Sequence, residues 1–132
     1  MQTVNPYFIN VLLAPLAGLA DDVDAVNHFN NLDPNDEPSV KKIIRSLIVP
    51  YSKDLSTQCV DRVRLAYMYY LSIEKLNFER VFESVLPPFD PPDDPRKFFV
   101  WIWDECFPGE PFRIEKAEDY KVKVDINEPL DF

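Results

Sequence analysis

Proline and glycine are used very unequally in this chain, which has 13 prolines but only two glycines, Gly18 and Gly109, among 132 residues. Antiparallel β-proteins need many glycine-containing turns, whereas proline opens the first turns of helices and stiffens the segments between them. A chain of this length usually forms one domain with its own core. We therefore predict a mainly α fold: a single-domain helical bundle spanning residues 1–132.

Apolar residues at three- and four-residue spacing mark three helices in the first half of the chain. Asn5 and Pro6 suit the start of the first helix, and Asp36 suits the cap of the third. The predicted helices are Asn5 to about Ala14, ended or kinked by Pro15; Leu19 to Asn30, with Leu19, Val23, Val26 and Phe29 inward; and a helix from Glu37 to Pro50. The third helix is expected to bury Val40, Ile43, Ile44, Leu47 and Ile48 and to end at Pro50.

The second half of the chain begins with a helix capped by Ser56 or Thr57. Its periodicity continues to Val85, either as one helix or as two joined near Leu76 and Asn77, with an inward face at Val60, Val63, Tyr67, Tyr70 and Leu71. Five prolines between residues 87 and 95 predict a rigid extended connection. Asp94 and Pro95 then open the segment 96–107, which is apolar on every side. We predict a buried helix there, with a central strand as the alternative.

The C-terminal stretch alternates polar and apolar residues from Tyr120 to Ile126, which is the periodicity of a strand. A single strand needs a partner. The candidates are the region 112–114, as a small hairpin, or an edge supplied by another chain. We therefore expect a short C-terminal β element.

Charge limits the classes of partner. The chain has 23 acidic and 14 basic residues, a formal net charge of −9 and a pI near 4.5. Such a field repels nucleic acid and anionic membranes, and it attracts basic proteins. An acidic surface can also serve solubility alone. Residues 87–132 hold twelve acidic and six basic side chains, so two thirds of the net charge lies in the last third of the chain.

Cysteine usage and the N-terminal sequence favour a cytoplasmic location. Cys59 and Cys106 lack the spacing of a zinc knuckle or redox pair, and two thiols are too few for a disulfide framework. No Lys or Arg precedes the first apolar run, which is interrupted by Asn10 and Pro15 and is too short to cross a bilayer. We expect two reduced thiols, with one long-range disulfide as the alternative, and no membrane segment.

Residues that commonly carry catalysis are sparse. His28 is the only histidine, and no nucleophile signature surrounds either cysteine. Zinc would have too few ligands, and the group Asp90, Asp93 and Asp94 lacks the glycine and distal glutamate of a calcium loop. Adjacent carboxylates carry little information in a chain with 23 acidic residues. We expect no catalytic residue, metal, cofactor or small-molecule ligand.

Acidic and large aromatic residues are interleaved between Phe89 and Phe112. Acidic groups steer a basic partner, and aromatic side chains anchor interfaces. The competing interpretation is that the aromatics fill the core while the acids maintain solubility. The predicted partner-binding residues are Asp90, Asp93, Asp94, Asp104, Glu105 and Glu110, as charge partners for Lys or Arg, and Trp103 and Phe107, as apolar anchors.

In its small size, acidity and interleaved acidic and aromatic residues, the chain resembles bacterial immunity proteins of contact-dependent inhibition, polymorphic or colicin-type toxin systems. The resemblance implies a one-to-one complex with a cognate basic toxin domain, often a nuclease, whose active site or substrate groove is covered. Two alternatives stay open. A carboxylate-dependent enzyme or its accessory subunit predicts a deep pocket lined by acids with raised pKa values. A phage DNA mimic or host-takeover inhibitor predicts acids in two rows, like phosphates.

Overall fold

The computed structural model describes all residues 1–132 and confirms the mainly α fold. The α-helices are α1 (Phe8–Val11), α2 (Val23–His28), α3 (Glu37–Ile43), α4 (Val49–Lys53), α5 (Thr57–Ser72), α6 (Phe78–Ser84) and α7 (Pro95–Cys106). A π turn covers Ile44–Ile48, and short 3₁₀ turns cover Ala14–Leu16, Leu19–Asp21, Ala117–Asp119 and Glu128–Asp131. The strands β1 (Gln2–Val4) and β2 (Tyr120–Val122) form one small sheet. No helix combines the length and apolar character needed to cross a bilayer.

Helices α5 and α7 lie at the centre of one hydrophobic core of 24 buried residues. Tyr67 of α5 is fully buried, and its hydroxyl donates a hydrogen bond to the carbonyl of Ile9 at 3.2 Å. Its ring lies 6.3 Å from that of Phe99 in α7. The core begins at Val4 and includes residues of every helix from α5 to α7. Because these residues share one core, the chain forms a single domain.

Local capping signals predicted the later helices correctly. The Ser56 hydroxyl accepts the N–H of Cys59 at 3.1 Å, and the Asp94 carboxylate accepts the N–H of Arg96 at 3.2 Å. The Asn77 side chain accepts the N–H of Arg80, so the long periodic segment divides into α5 and α6. The apolar segment that could have been a strand is α7. Residues 87–94 form no helix or strand, as the prolines predicted.

The predictions for the first two helices were wrong in the length of the helices and in which side chains face the core. Helix α1 has four residues rather than ten, and Pro15 lies inside a 3₁₀ turn instead of ending a helix. Asp22 is extended, and its carboxylate accepts the N–H groups of Asp24 and Ala25, so α2 begins only at Val23. This six-residue helix buries none of its side chains. Val23 and Val26, which were expected to face inward, are exposed.

Pro50 does not end the helix that begins at Glu37. The backbone remains helical from α3 through the π turn into α4, where Pro50 occupies the first turn. In the π turn the N–H of Val49 donates to the carbonyl of Ile44, five residues back. This wider turn relieves the clash that a proline ring makes with the carbonyl four residues before it. Of the predicted stripe, Val40, Ile44 and Ile48 are buried, Ile43 is partly buried and Leu47 is exposed.

The C-terminal strand is shorter than predicted and has a different partner. It covers Tyr120–Val122 rather than Tyr120–Ile126, and it pairs in parallel with β1, in the register Gln2 with Tyr120 and Val4 with Val122. The region 112–114 is unavailable for a hairpin. The Ser72 hydroxyl at the end of α5 donates to the carbonyl of Phe112 and accepts the N–H of Ile114. A side chain thus takes the place of the expected strand partner.

Candidate protein-binding surface

The acidic residues predicted to form one binding surface lie at opposite ends of α7. Asp90, Asp93 and Asp94 precede the helix, whereas Asp104 and Glu105 lie in its last turn. A helix rises 1.5 Å per residue, so about 15 Å separates the two groups along the axis. The structure therefore divides the predicted cluster into two.

The group at the end of α7 is engaged in ion pairs within the protein. Asp104 lies 3.2 Å from Nζ of Lys41, Glu105 lies 2.7 Å from a guanidinium nitrogen of Arg45, and Glu110 lies 3.4 Å from Nε of Arg64. Partial burial favours neutral Lys41, but hydrogen bonds to Glu37 and Asp104 outweigh it and raise the pKa of Lys41. Asp104 and Glu105 link α7 to α3 and to the π turn, and Glu110 links the loop after α7 to α5, so each carboxylate already has a cation partner within the protein.

The two predicted aromatic anchors are buried. Trp103 exposes 1% of its surface and Phe107 exposes 5%, and their ring centroids are 4.5 Å apart. The indole N–H of Trp103 donates to the carbonyl of Glu110 at 2.7 Å, which fixes the loop after α7. Neither side chain is accessible to a partner in this structure. They hold the loop in place rather than anchor a complex.

The group before α7 belongs to a larger acidic surface. We use this name for the two segments 21–37 and 83–94, which together contain ten acidic residues and no lysine or arginine. The rest of the chain contains thirteen acidic and fourteen basic residues, so it carries a net charge of +1. The acidic surface alone carries −10 and accounts for the whole net charge of −9. All ten carboxylate residues are exposed: Asp21, Asp22, Asp24, Asp33, Asp36, Glu37, Glu83, Asp90, Asp93 and Asp94.

Backbone and ring contacts hold the two segments of the acidic surface side by side. Next to its N-terminal end, the N–H of Gly18 donates to the carbonyl of Val85 at 2.7 Å. Near its middle, the rings of Phe29 and Phe89 meet at 5.3 Å. At the far end, the side-chain oxygen of Asn35 accepts the N–H of Asp93 at 2.8 Å. Contacts along the full length of both segments make the surface continuous.

Most carboxylates of the acidic surface have no cation within ion-pair distance. Only Glu37 does, through Lys41 one helical turn later. Asp22 and Asp94 cap helices and so also stabilise the fold. Asp21, Asp90 and Asp93 make no hydrogen bond through their carboxylates. These three carboxylates are therefore available to a partner, and changing them should lower the stability of the fold only slightly.

Leu86 is an exposed apolar group within the acidic surface. It follows α6 in the left-handed conformation, with φ of 55°, which residues other than glycine rarely adopt. Its carbonyl accepts the N–H of Ala20 at 2.9 Å, and its surface is 52% exposed. Val23 and Val26 are exposed on the neighbouring segment. The acidic surface thus has its own apolar groups, which the sequence reasoning did not identify.

The absence of basic residues was the signal that could have identified the acidic surface. No Lys or Arg occurs before Lys41, and none occurs between Arg80 and Arg96. A charge count over the last third of the chain does not reveal either of these stretches without basic residues. That the two gaps would meet in space depends on tertiary contacts between residues about 60 positions apart, which no local pattern predicts.

The only histidine shares a groove with two carboxylates: His28, Asp33, Asp36 and Ser39 line a space of about 670 Å³ beside Lys42. His28 is exposed against the Phe29 ring, and no cluster of three His, Cys, Asp or Glu side chains could hold a metal ion. Both cysteines are free thiols. Burial, opposed by a hydrogen bond to Ser52, raises the pKa of Cys106 to about 11 and so keeps this thiol protonated at neutral pH. A separate groove, of about 530 Å³, is lined by the carboxylates of Glu74, Glu79 and Asp94 and by the cations Lys75 and Arg96.

The acidic surface, with Leu86 exposed within it, is therefore an extended charged feature suited to recognition. Comparison with protein-family models, curated proteins and solved structures finds no match to the chain.

Proposed function

We propose that this chain is an immunity protein that binds a cognate basic toxin domain in a one-to-one complex and neutralises it. The observation that supports the proposal is the acidic surface, whose ten exposed carboxylates lie on two segments without lysine or arginine and of which only Glu37 pairs with a cation, Lys41. A field of this sign and extent attracts lysine- and arginine-rich surfaces and accelerates their encounter. The toxin domain we expect is a nuclease, and the site of action is the cytoplasm.

The mechanism follows from what a nuclease must bind. Its substrate groove carries cations that neutralise phosphates. Exposed carboxylates held on two adjoining segments offer these cations equivalent partners, so the acidic surface competes with nucleic acid for the same groove. Binding there covers the groove, and the toxin is inhibited without any chemical step by the inhibitor.

The structure changes which residues we assign to the contact. Asp90, Asp93 and Asp94 remain in the proposed interface and gain Asp21, Asp33 and Asp36 as neighbours on the acidic surface. Asp104, Glu105 and Glu110 are assigned to internal ion pairs instead. Leu86 replaces Trp103 and Phe107 as the proposed apolar contact, because it is the one of the three that is exposed.

A charge-reversal pair tests whether the position of the charge matters. The surface variant combines Asp21→Lys, Asp90→Lys and Asp93→Lys. The matched control combines Asp54→Lys, Glu115→Lys and Glu118→Lys, which are exposed and form no ion pair. Three reversals of two charges each move both variants from −9 to −3. Tagged wild type and both variants are used to purify partners from the native organism at low and high salt, followed by mass spectrometry and by association kinetics with the toxin domain recovered.

We expect the wild type and the control to retain a basic toxin domain at low salt and to lose it at high salt. The association rate constant of the surface variant should be lower by a factor of about ten or more, because long-range attraction between charges acts on the association rate. Equal association of the surface variant and the control would show that the acidic surface is not the interface. Recovery of no toxin domain by the wild type would contradict the proposal as a whole.

Two other functions make different predictions in the same experiment. A carboxylate-dependent enzyme would use the groove at Glu74, Glu79 and Asp94, so Glu74→Gln with Glu79→Gln should abolish turnover and leave partner capture unchanged. A DNA mimic or host-takeover inhibitor would recover a host nucleic-acid-binding protein in place of a toxin. An immunity gene, by contrast, is expected directly after a large toxin gene.

A further inference from the structure

Exposed apolar side chains are concentrated at the C-terminus, in residues that are not part of the acidic surface. Of the ten large apolar residues that the fold leaves exposed, five lie in the last eleven residues: Val122, Val124, Ile126, Leu130 and Phe132. Val124 is 66% exposed and Ile126 is 63% exposed. Clustered apolar exposure of this kind marks interaction sites. The proposed function makes no use of these residues.

The same segment has an unpaired backbone edge. The N–H of Lys123 donates to the carbonyl of Val4 at 2.8 Å, so residue 123 faces β1. The N–H and carbonyl of Asp125 face the same way and meet the Asn5 side chain. Backbone groups alternate between the two edges of a strand, so those of Val122 and Val124 face away from β1, where the sheet has no third strand.

We propose that this edge pairs with its counterpart in a second copy of the chain, antiparallel and two-fold symmetric about Val124. In that register each Lys123 lies opposite Asp125 of the other copy, and Val124 meets Val124. Ile126 begins the turn that the N–H of Glu128 closes onto the carbonyl of Asp125, so the pairing ends at Asp125. The pairing therefore forms two cross-strand ion pairs around a contact between the two Val124 side chains, and the same patch serves both copies, as a two-fold interface requires.

Charge selects this register over its neighbours. Pairing centred on Val122 places Lys121 opposite Lys123 and Asp119 opposite Asp125, and pairing centred on Lys123 places two lysines face to face. Like charges directly opposite each other destabilise a strand pair. Only the register centred on Val124 pairs opposite charges without a like-charge contact. The segment 123–125 is thus complementary to itself, which is the argument for a second copy as the occupant.

Salt dependence separates this association from toxin binding. Two copies each carry a net charge of −9 and repel each other over distances that salt screens. The dimer should therefore become tighter as salt rises, whereas the complex with a basic toxin should become weaker. Failure of either proposal leaves the other testable.

The test is sedimentation equilibrium over a concentration series at about 0.1 M and about 1 M salt, where the Debye lengths are about 10 Å and about 3 Å. Lys123→Asp and Asp125→Lys should each weaken the dimer about tenfold, because both cross-strand ion pairs become repulsive. An equimolar mixture of the two variants should recover wild-type affinity, since aspartates in one copy then face lysines in the other. Lys121→Asp is the matched control: it has the same charge change as Lys123→Asp but lies outside the paired segment 123–125.

Thermal unfolding of each variant verifies that the monomer remains folded, because Asp125 also accepts the N–H of Asn127 in the following turn. Salt-promoted dimers that are lost in each single variant and restored by mixing would support the proposal. A monomer at every concentration and salt level would overturn it. Single variants that dimerise like the wild type, or a mixture that stays monomeric, would overturn it equally.

Discussion

Asn5→Ala provides the sharpest test of how the two ends of the chain are joined. Asn5 is 3% exposed and is the only buried residue with an amide side chain. Its Nδ2 donates to the carbonyl of Asp125 at 2.7 Å and to Oε1 of Glu128 at 3.0 Å. Its Oδ1 accepts the N–H of Tyr7 at 3.1 Å and that of Asp125 at 3.4 Å. One side chain thus connects β1 to residues beyond β2.

The expected loss follows from those four hydrogen bonds. Each well-formed bond contributes about 1 kcal/mol net, and the 3.4 Å bond contributes less. Asn5→Ala should therefore lower the free energy of unfolding by about 3 kcal/mol. With a urea m-value of about 2 kcal/mol/M, the unfolding midpoint should fall by about 1.5 M. Amide exchange at Lys123 should also accelerate, because its bond to Val4 lies next to the lost contacts.

Asn10→Ala is the matched control for this measurement. Asn10 makes one long hydrogen bond, of 3.4 Å, to the Ser84 hydroxyl, so its loss should lower the free energy of unfolding by about 0.5 kcal/mol or less. Asn5→Asp preserves the size of the side chain but removes the donor and places a carboxylate beside Glu128, so it should be at least as destabilising as alanine. Equal stability of the Asn5→Ala and Asn10→Ala variants would refute the assignment of this joint to Asn5.

Two further predictions concern the core. Trp103→Phe should destabilise the fold by about 3 kcal/mol in urea unfolding, since it removes the bond to the Glu110 carbonyl and leaves a cavity; a loss below about 1 kcal/mol would contradict this. Stability should fall as pH rises above about 9, because burial raises the pKa of Cys59, of Cys106 to about 11, and of Tyr70 to about 12. Because the pKa of each group is higher in the folded than in the unfolded chain, the unfolded chain releases these protons first as pH rises. The contribution of these groups to stability is therefore complete below the unfolded pKa values, 9.0 for cysteine and 10.0 for tyrosine, and is lost above them. Thermal melts between pH 7 and 11 test this, and a constant melting temperature would contradict it.

Features set by a few neighbouring residues could be predicted from the sequence. Ser56 and Asp94 accept backbone N–H groups two or three residues later, as cap residues do, and Asn77 separates α5 from α6 close to the expected break. These hydrogen bonds need no distant partner. Asp36 shows the limit of the rule, because it precedes α3 but hydrogen-bonds the Ser39 hydroxyl instead of a backbone N–H.

Features set by distant residues could not be predicted. β2 pairs with β1 across 118 positions of sequence, a contact that strand periodicity alone cannot specify. Pro50 was expected to end a helix, since nothing in a 3.6-residue pattern predicts a π turn. The acids of α7, Asp104 and Glu105, seemed free to bind a partner because their cation partners, Lys41 and Arg45, are far away in sequence. Tertiary contact decided the strand pairing and the ion pairs, whereas the π turn accommodates Pro50 locally.

The position of charge explains how one chain could support two kinds of association. The acidic surface carries the net charge, whereas the segment 120–126 carries two lysines and one aspartate and is locally basic. A basic toxin is therefore attracted to residues 21–37 and 83–94, and the edge at Val124 is left to pair by backbone hydrogen bonds and apolar contacts. Because the two associations use different residues and respond to salt with opposite sign, a low-salt complex should contain toxin and inhibitor in equal numbers. Raising the salt should release the toxin and shift the inhibitor toward its dimer.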